Sequence, residues 1–294
     1  MSKTLLITGG AGFIGHHVID LFLQKTDWNI VSLDRLDYSG NLNRLDDVVR
    51  RYPAETRKRV KVVYGDLRAE VTSLQGNFIG DVDYILHMAA SSHVDRSIED
   101  PMSFVMDNVI GTVNILNFAR QCKNLKRFIY FSTDEVFGPA PGTIVYGERD
   151  RYNSTNPYSA SKAAGEEMCV AFENTYKMPI VITHTMNVFG ERQHPEKYIP
   201  MCIRKVRNGE TVFIHSDPSK TQPGSRFYIH ADDVADAMYF LLHLTPEQEA
   251  KVHEPDWGGA KCPKFNVVGK EEIDNLSLAK YIAEASGKEL NYEL

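Results

Sequence analysis

Two short stretches of this 294-residue chain carry side chains able to move protons at carbon and oxygen. The first reads Ser132-Thr133-Asp134-Glu135-Val136-Phe137-Gly138, two adjacent carboxylates behind a pair of hydroxyls. The second is Pro157-Tyr158-Ser159-Ala160-Ser161-Lys162, in which a tyrosine precedes a lysine by one helical turn on the same face. An ammonium there depresses the tyrosine pKa, which makes the phenolate a usable base near neutrality, and it also binds a ribose. Ser132 or Thr133 is placed to hydrogen-bond a substrate hydroxyl beside the tyrosine. Neighbouring acids in different environments add a second capability. One ionised and one protonated, they take a proton from carbon and hand one to a departing hydroxyl. Oxidation, elimination and reduction are thus all within reach of one pocket.

Such side chains need a rigid frame, and the pattern of apolar residues supplies one. Short β-rich runs at 4–8, 29–33, 60–64, 84–87, 127–131 and 180–183 alternate with stretches long enough for crossover helices. Helical periodicity is clearest at 12–25, 102–121 and 158–176. The alternation predicts an α/β fold with a Rossmann-type, doubly wound parallel sheet. After residue 187 proline, glycine and polar residues become denser and the apolar segments shorten, as at 255–259. This predicts a smaller C-terminal substrate-binding lobe on the carboxyl ends of the strands. The expected division is 1–186 with about 227–246 for the dinucleotide domain, and 187–226 with 247–294 for the lobe. The helices at 102–121 and 158–176 carry apolar surface enough for a homodimer contact, with packing on the sheet as the alternative.

Gly9, Gly12 and Gly15 follow the first strand and open a helix through Phe13 and Ile14. Glycines at this spacing permit a tight turn and close approach of a pyrophosphate to the helix N-terminus. Asp34 ends the second strand, where a carboxylate meets a ribose 2′-hydroxyl and repels a 2′-phosphate. NAD is therefore expected over NADP, with Arg35 the one feature pulling the other way. Asp66 and Leu67, after the third strand, are candidate adenine contacts, although Asp66 equally suits a turn cap. Ala89 and Ala90, past the fourth strand, are small enough to let a cofactor reach the sheet edge.

Composition narrows the partners. A net charge of −6 without a basic patch argues against nucleic acid, so an anionic substrate must be held by a few placed cations. The four cysteines are widely spaced and read as buried thiols in a reducing cytoplasm. No apolar run reaches about 18 residues, which predicts no membrane span. The chain enters its first strand almost at once, which leaves no room for a signal peptide. The histidines show no ligand spacing, and no metal is assigned.

The set T-G-G-A-G-F-I-G, H-M-A-A-S-S-H-V-D-R-S, S-T-D-E-V-F-G, P-Y-S-A-S-K and P-E-K-Y-I-P resembles the extended short-chain dehydrogenase/reductase superfamily. Within it, the likeness is to nucleotide-sugar dehydratases of the dTDP-glucose or UDP-glucose 4,6-dehydratase type. The resemblance implies oxidation at C4 by Tyr158 and NAD, with Lys162 and Thr133 in support. Water elimination across C5–C6 follows, with Asp134 as acid and Glu135 as base, and then reduction at C6. The alternatives are an epimerase on the same scaffold, which needs only the tyrosine and the cofactor, a dehydratase for an amino sugar, and a silent NAD-binding module, which needs neither acid. Arg226 and Lys197 are implied for the diphosphate, Asn187 and Asn266 for the nucleotide sugar, and Ser92 and Thr133 near the hexose. The chain departs from the family pattern in three places. Met186-Asn187-Val188-Phe189-Gly190-Glu191 replaces S-N-N-Y-G-P, and Ser91 stands where glutamate is usual. Leu294 falls before an R-P-G-H-D-like segment usual in the family, so either the sequence is a shortened one or the nucleotide is held with fewer contacts.

Overall fold

In the computed structural model, residues 2–140, 142, 144–245, 247, 248, 251 and 262–294 are described. The six expected strands form as β1 (Thr4–Thr8), β2 (Asn29–Asp34), β3 (Val60–Tyr64), β4 (Tyr84–His87), β5 (Arg127–Thr133) and β6 (Ile180–Thr185). They lie in the order β6-β5-β4-β1-β2-β3, every pair parallel, and a seventh strand, Lys264–Val267, adds in parallel beside β6. Chain order reverses between β1 and β4, the switch point at which open α/β sheets bind ligands. Leu5, Leu6 and Ile7 are consecutive and fully buried, as a strand covered on both faces requires. This Rossmann-type sheet is the fold that the alternating pattern predicted.

The helix expected at 12–25 forms over Phe13–Lys25, and the one at 158–176 over Pro157–Tyr176. The stretch 102–121 differs from a single α-helix. It runs as α-helix over Pro101–Val105, widens to a π-turn at Met106–Ile110, and resumes as α-helix over Gly111–Ala119. The extra residue in the wide turn lets two adjacent polar side chains, Asp107 and Asn108, both point inward and be buried. Apolar periodicity does not register such an insertion.

The chain divides into two compact units, Met1–Thr185 with Val234–Val267 and Met186–Asp233 with Val268–Leu294. The expected boundary needs correcting at two places. Residues 227–233 belong to the second unit, because their strand, Ser225–His230, pairs with Asn187–Phe189 and Glu272–Asp274. Strand Lys264–Val267 belongs to the first unit, because it pairs with β6. The turn-rich run at 255–259 lies outside the described residues. The second unit has its own small core of Cys202, Val206, Val212, Ile214, Ala279 and Ala283, between helices Tyr198–Asn208 and Asn275–Ala285 and strand Val212–Phe213. The cysteines are free thiols, three of them buried. Among the described residues, no helix is long and apolar enough to cross a membrane.

The active-site helix lies close on β5 because Gly165 lets it. A Cβ at this position would fall 2.1 Å from the Tyr130 hydroxyl and 3.0 Å from the Asn108 carbonyl oxygen. Both neighbours are buried, so neither can move aside cheaply. Gly165→Ala is expected to lower stability by roughly 1–3 kcal/mol. Thermal unfolding of the variant measures this, and an unchanged midpoint would refute the close approach.

Candidate active site

The glycine turn is built by steric exclusion. Gly9 has φ +76°, and a Cβ there would meet the Ala89 amide nitrogen at 3.0 Å. At Gly15 a Cβ would sit 2.4 Å from the Gly9 carbonyl oxygen, and at Gly12 2.9 Å from the same atom. The turn delivers the chain into helix Phe13–Lys25 with no side chain capping Gly12 and no acid in the first turn. The first N–H groups of that helix have no intrahelical acceptor, so its positive end remains open to an anion.

The opposite wall, Met88 to Ala90, is held by a buried chain of hydrogen bonds. Thr112 Oγ1 donates to the Asn108 carbonyl (2.6 Å), so it accepts from His87 Nε2 (3.0 Å). Thr8 Oγ1 then donates to His87 Nδ1 (2.7 Å), while accepting from the amides of Met88 and Ala89, each at 3.1 Å. Burial, aided by the charge of Lys162, pushes the imidazole down to about 3, which keeps it neutral and fixes this tautomer. Asn108 continues the wall, accepting from Ser91 N (2.9 Å) and donating to Ser161 Oγ (2.8 Å).

Asp34 sits at the end of β2, 7% exposed, with Oδ2 accepting from Ala11 N (3.0 Å) and Oδ1 from Leu36 N (2.8 Å). Each oxygen keeps a lone pair for a hydroxyl. Desolvation raises its pKa above the ordinary carboxylate value, against these two backbone bonds. Arg35, which pulled toward a phosphorylated ribose in the sequence, is committed elsewhere. Its guanidinium binds Asp107 through two bonds (2.6 and 3.0 Å) and Asp37 through a third (2.6 Å). Asp107 also accepts from Arg68 Nε (2.6 Å) and Ser91 Oγ (2.5 Å). Although burial raises the Asp107 pKa, these donors hold it down to about 2, so the carboxylate stays charged and keeps both arginines. Beside it lies a cavity of about 590 Å³ lined by Arg35, Tyr38, Tyr64, Asp66, Arg68 and Asp107. Asp66 lines the cavity and also caps its own turn through Arg68 N (2.9 Å), and Leu67 is tied by its carbonyl to Asn114 Nδ2 (2.8 Å).

The proton-moving groups gather at the end of β5. Successive strand residues face opposite sides. Ser132 therefore donates to Glu166 (2.5 Å), while Thr133 caps the 3₁₀ turn Asp134–Phe137 and accepts from Glu135 N (3.3 Å). The choice between the two hydroxyls thus falls to Thr133. Tyr158, in the first turn of the active-site helix, feels both acids. Burial raises its pKa well above the ordinary phenol, the charges of Glu135 and Asp134 raise it further, and a hydrogen bond with Thr133 works against them. This corrects the expectation of a phenol lowered by Lys162. The ammonium, 3% exposed, gives one donor to the Phe131 carbonyl (2.6 Å) and lies over the Tyr130 ring (4.2 Å), which leaves donors for a ligand. Burial lowers the Lys162 pKa to about 8, against the charge of Glu166.

The remaining candidates are dispersed. Ser92 is exposed just before helix Val94–Glu99. Asn266 is occupied, with Oδ1 near His184 Nδ1 (3.2 Å) and Nδ2 donating to the Tyr146 carbonyl (3.4 Å). Asn187, Lys197 and Arg226 are in the second unit. Asn187 Nδ2 donates to the Phe227 carbonyl (3.4 Å), Lys197 precedes helix Tyr198–Asn208, and Arg226 is exposed on its strand. Sequence reasoning missed Asp107, Asn156 and Glu166. Only Glu166 carried a signal, lying one turn beyond Lys162 on the same face.

An open helix end facing a small-residue wall, with a carboxylate on the next strand, fits a dinucleotide, and the tyrosine beside two acids can move protons on a substrate held there. These features define a Rossmann-type, dinucleotide-dependent enzyme of alcohol chemistry. The chain belongs to the NAD dependent epimerase/dehydratase family, which it matches over residues 5–252. It is 33% identical over 289 residues to the dTDP-glucose 4,6-dehydratase of Neisseria gonorrhoeae, covering 95% of this chain and 77% of that one. It is 36% identical over 290 residues to a trifunctional UDP-glucose 4,6-dehydratase/UDP-4-keto-6-deoxy-D-glucose 3,5-epimerase/UDP-4-keto-L-rhamnose-reductase of Arabidopsis thaliana. That match covers 98% of this chain but only 40% of the plant protein. The crystal structure of a Bacillus anthracis dTDP-glucose 4,6-dehydratase with NAD superimposes with a TM-score of 0.81 at 28% identity, over 99% of this chain and 84% of that one.

Asp107→Asn is expected to release Arg35 and Arg68 and to raise the NADP-to-NAD affinity ratio about tenfold, the worth of one charge-assisted bond. Calorimetric titration with each dinucleotide tests this, and an unchanged ratio would show that Asp34 alone sets the preference.

Proposed function

We propose that this chain removes water from a nucleotide-activated glucose, dTDP-glucose or UDP-glucose, and leaves the 4-keto-6-deoxy sugar. The observation that carries the reading is the placement of Asp134 and Glu135 on the turn capped by Thr133, with Glu135 joined at 3.1 Å to Asn156, the cap of the helix that begins with Pro157 and Tyr158. Simple inversion at C4 gives two acids in that position nothing to do, whereas elimination gives work to both.

NAD, when bound, takes up the two electrons released at C4 and returns them at C6, so none is consumed. Gly9, Gly12 and Gly15 give its pyrophosphate room beside the Phe13–Lys25 helix end, and Asp34 accepts from the ribose hydroxyls. Thr133 and Tyr158 hold the C4 hydroxyl, and Tyr158 takes its proton. Lys162 binds the second ribose and offsets charge on the phenolate. The C4 ketone acidifies the C5 hydrogen, which Glu135 removes, while Asp134 protonates the leaving C6 hydroxyl; once C6 is reduced, Glu135 returns the proton to C5. Each positioned acid or base is worth about 10²–10⁴-fold. In the second unit, exposed Arg226 with Lys197 is assigned to the nucleotide diphosphate, and Asn187 to the nucleotide sugar. Exposed Met102, Val105 and Tyr176 are assigned to self-association into a homodimer.

Mass spectrometry of the protein with each sugar nucleotide, without added reductant, should show loss of one water. No mass change with either would overturn the reading. Glu135→Gln should accumulate reduced cofactor without water loss, and normal turnover of that variant would remove Glu135 from the reaction. The same variant should also move the pH dependence of C4 oxidation downward. An adjacent negative charge raises the tyrosine pKa, so removing it lets the phenolate form at lower pH. A shift upward, or none, would contradict the coupling.

A further inference from the structure

Asn156 precedes the active-site helix, and its side chain does two things at once. Its Oδ1 accepts from the backbone N–H of Ser159 at 2.8 Å, which caps helix Pro157–Tyr176. Its Nδ2 donates to Glu135 Oε2 at 3.1 Å. The two contacts fix each other's polarity. Rotating the amide by half a turn would face NH₂ to N–H at the helix and oxygen to oxygen at the acid, both repulsive. Asn156 is further pinned by Ser159, whose Oγ donates to the Asn156 carbonyl (3.0 Å) and accepts from its N–H (3.4 Å). The backbone is extended at φ −147°, ψ 161°, as a cap residue requires. The following residue is Pro157, which presets the first helical turn. The amide that meets Glu135 is therefore held from several sides before any substrate arrives.

Glu135 itself sits on a short 3₁₀ turn, where its own backbone bond is a 3.3 Å contact from N–H to Thr133 Oγ1. A glutamate side chain has three rotatable torsions, and a fixed donor at one oxygen removes most of that freedom. Tyr158 and Asn156 stand at the same end of the same helix, so the donor that aims Glu135 moves with the phenol. We infer that Asn156 is a positioning residue for the elimination step, holding the Glu135 carboxylate in register with Tyr158 while capping the helix that carries Tyr158 and Lys162. The inference rests on the proposed role of Glu135 as the base at C5.

Three substitutions separate the two tasks. Asn156→Ser keeps a good N-cap but is too short to reach Glu135. Asn156→Asp keeps the cap and the shape but sets a carboxylate against a carboxylate. Asn156→Ala loses both contacts. Each variant, with Glu135→Gln in parallel, is examined by thermal unfolding and by two half-reactions on the sugar nucleotide: the rise of reduced-cofactor absorbance, and deuterium uptake from solvent at C5. Asn156→Ser should unfold at the wild-type temperature and reduce the cofactor at the wild-type rate, yet exchange at C5 about tenfold more slowly, so that reduced cofactor accumulates. Asn156→Asp should be slower again at C5, and only Asn156→Ala should also lose thermal stability. If all variants slow both half-reactions equally, or only in proportion to lost stability, Asn156 is a cap and nothing more, and the inference fails. Wild-type C5 exchange in Asn156→Asp would overturn it as well. Normal turnover in Glu135→Gln would instead place the fault in the assignment of the base.

Discussion

A single buried carboxylate ties the catalytic parts of the first unit together. Glu166 is fully buried, one turn beyond Lys162 on the active-site helix. It accepts from Ser132 on β5 (2.5 Å) and from Tyr152, and it meets His184 Nε2 on β6 (3.2 Å) and Lys264 Nζ on the edge strand (3.4 Å). Burial alone pushes such a group up. Hydrogen bonds and charge from His184, Lys264 and Ser132 outweigh it, and the carboxyl ends below its ordinary value. Removing one member would leave an uncompensated buried charge. With the network complete, the helix has one rotation and one height against β5. Tyr158 and Lys162 are thereby set relative to Thr133 and the two acids.

Charge in the pocket is balanced against the tyrosine rather than for it. Lys162 is at about 8, and it gives its proton-bearing nitrogen to a backbone carbonyl and an aromatic face. Asp134 and Glu135 oppose ionisation of Tyr158 from the other side. A phenol kept neutral by its surroundings becomes a base when positive charge enters the pocket. In the proposed reaction, the acids assigned to elimination also restrain ionisation of the tyrosine assigned to oxidation, so the two steps share one electrostatic arrangement.

Much of this was readable in the residues because it is local. Six strands announce themselves by short β-rich runs, the glycine turn by its spacing, and the Tyr158–Lys162 pair by the helical period. What escaped is what depends on partners distant in the chain. Arg35 looks like a phosphate ligand until Asp107, on a turn 72 residues later, takes its guanidinium. That turn is invisible to apolar periodicity because its irregularity serves polar groups. Lys264–Val267 is a strand only because β6 is there to pair with it. Asn156 reads as an ordinary cap, since the carboxylate it also meets belongs to another element. The pKa of Tyr158 is raised by burial and two acids, and the ammonium expected to lower it points its hydrogen bond at the Phe131 carbonyl.

The edge strand has a consequence for how the enzyme comes into being. A ribosome delivers β1 to β6, the glycine turn and the tyrosine helix well before residue 264 emerges. Until then Glu166 lacks Lys264, and His184 lacks Asn266. Parallel pairing over such separations is slow to form, so the nascent chain holds a nearly finished sheet around an unsettled charge. The last strand of this parallel sheet to be translated is the one that brings Lys264 to the buried Glu166.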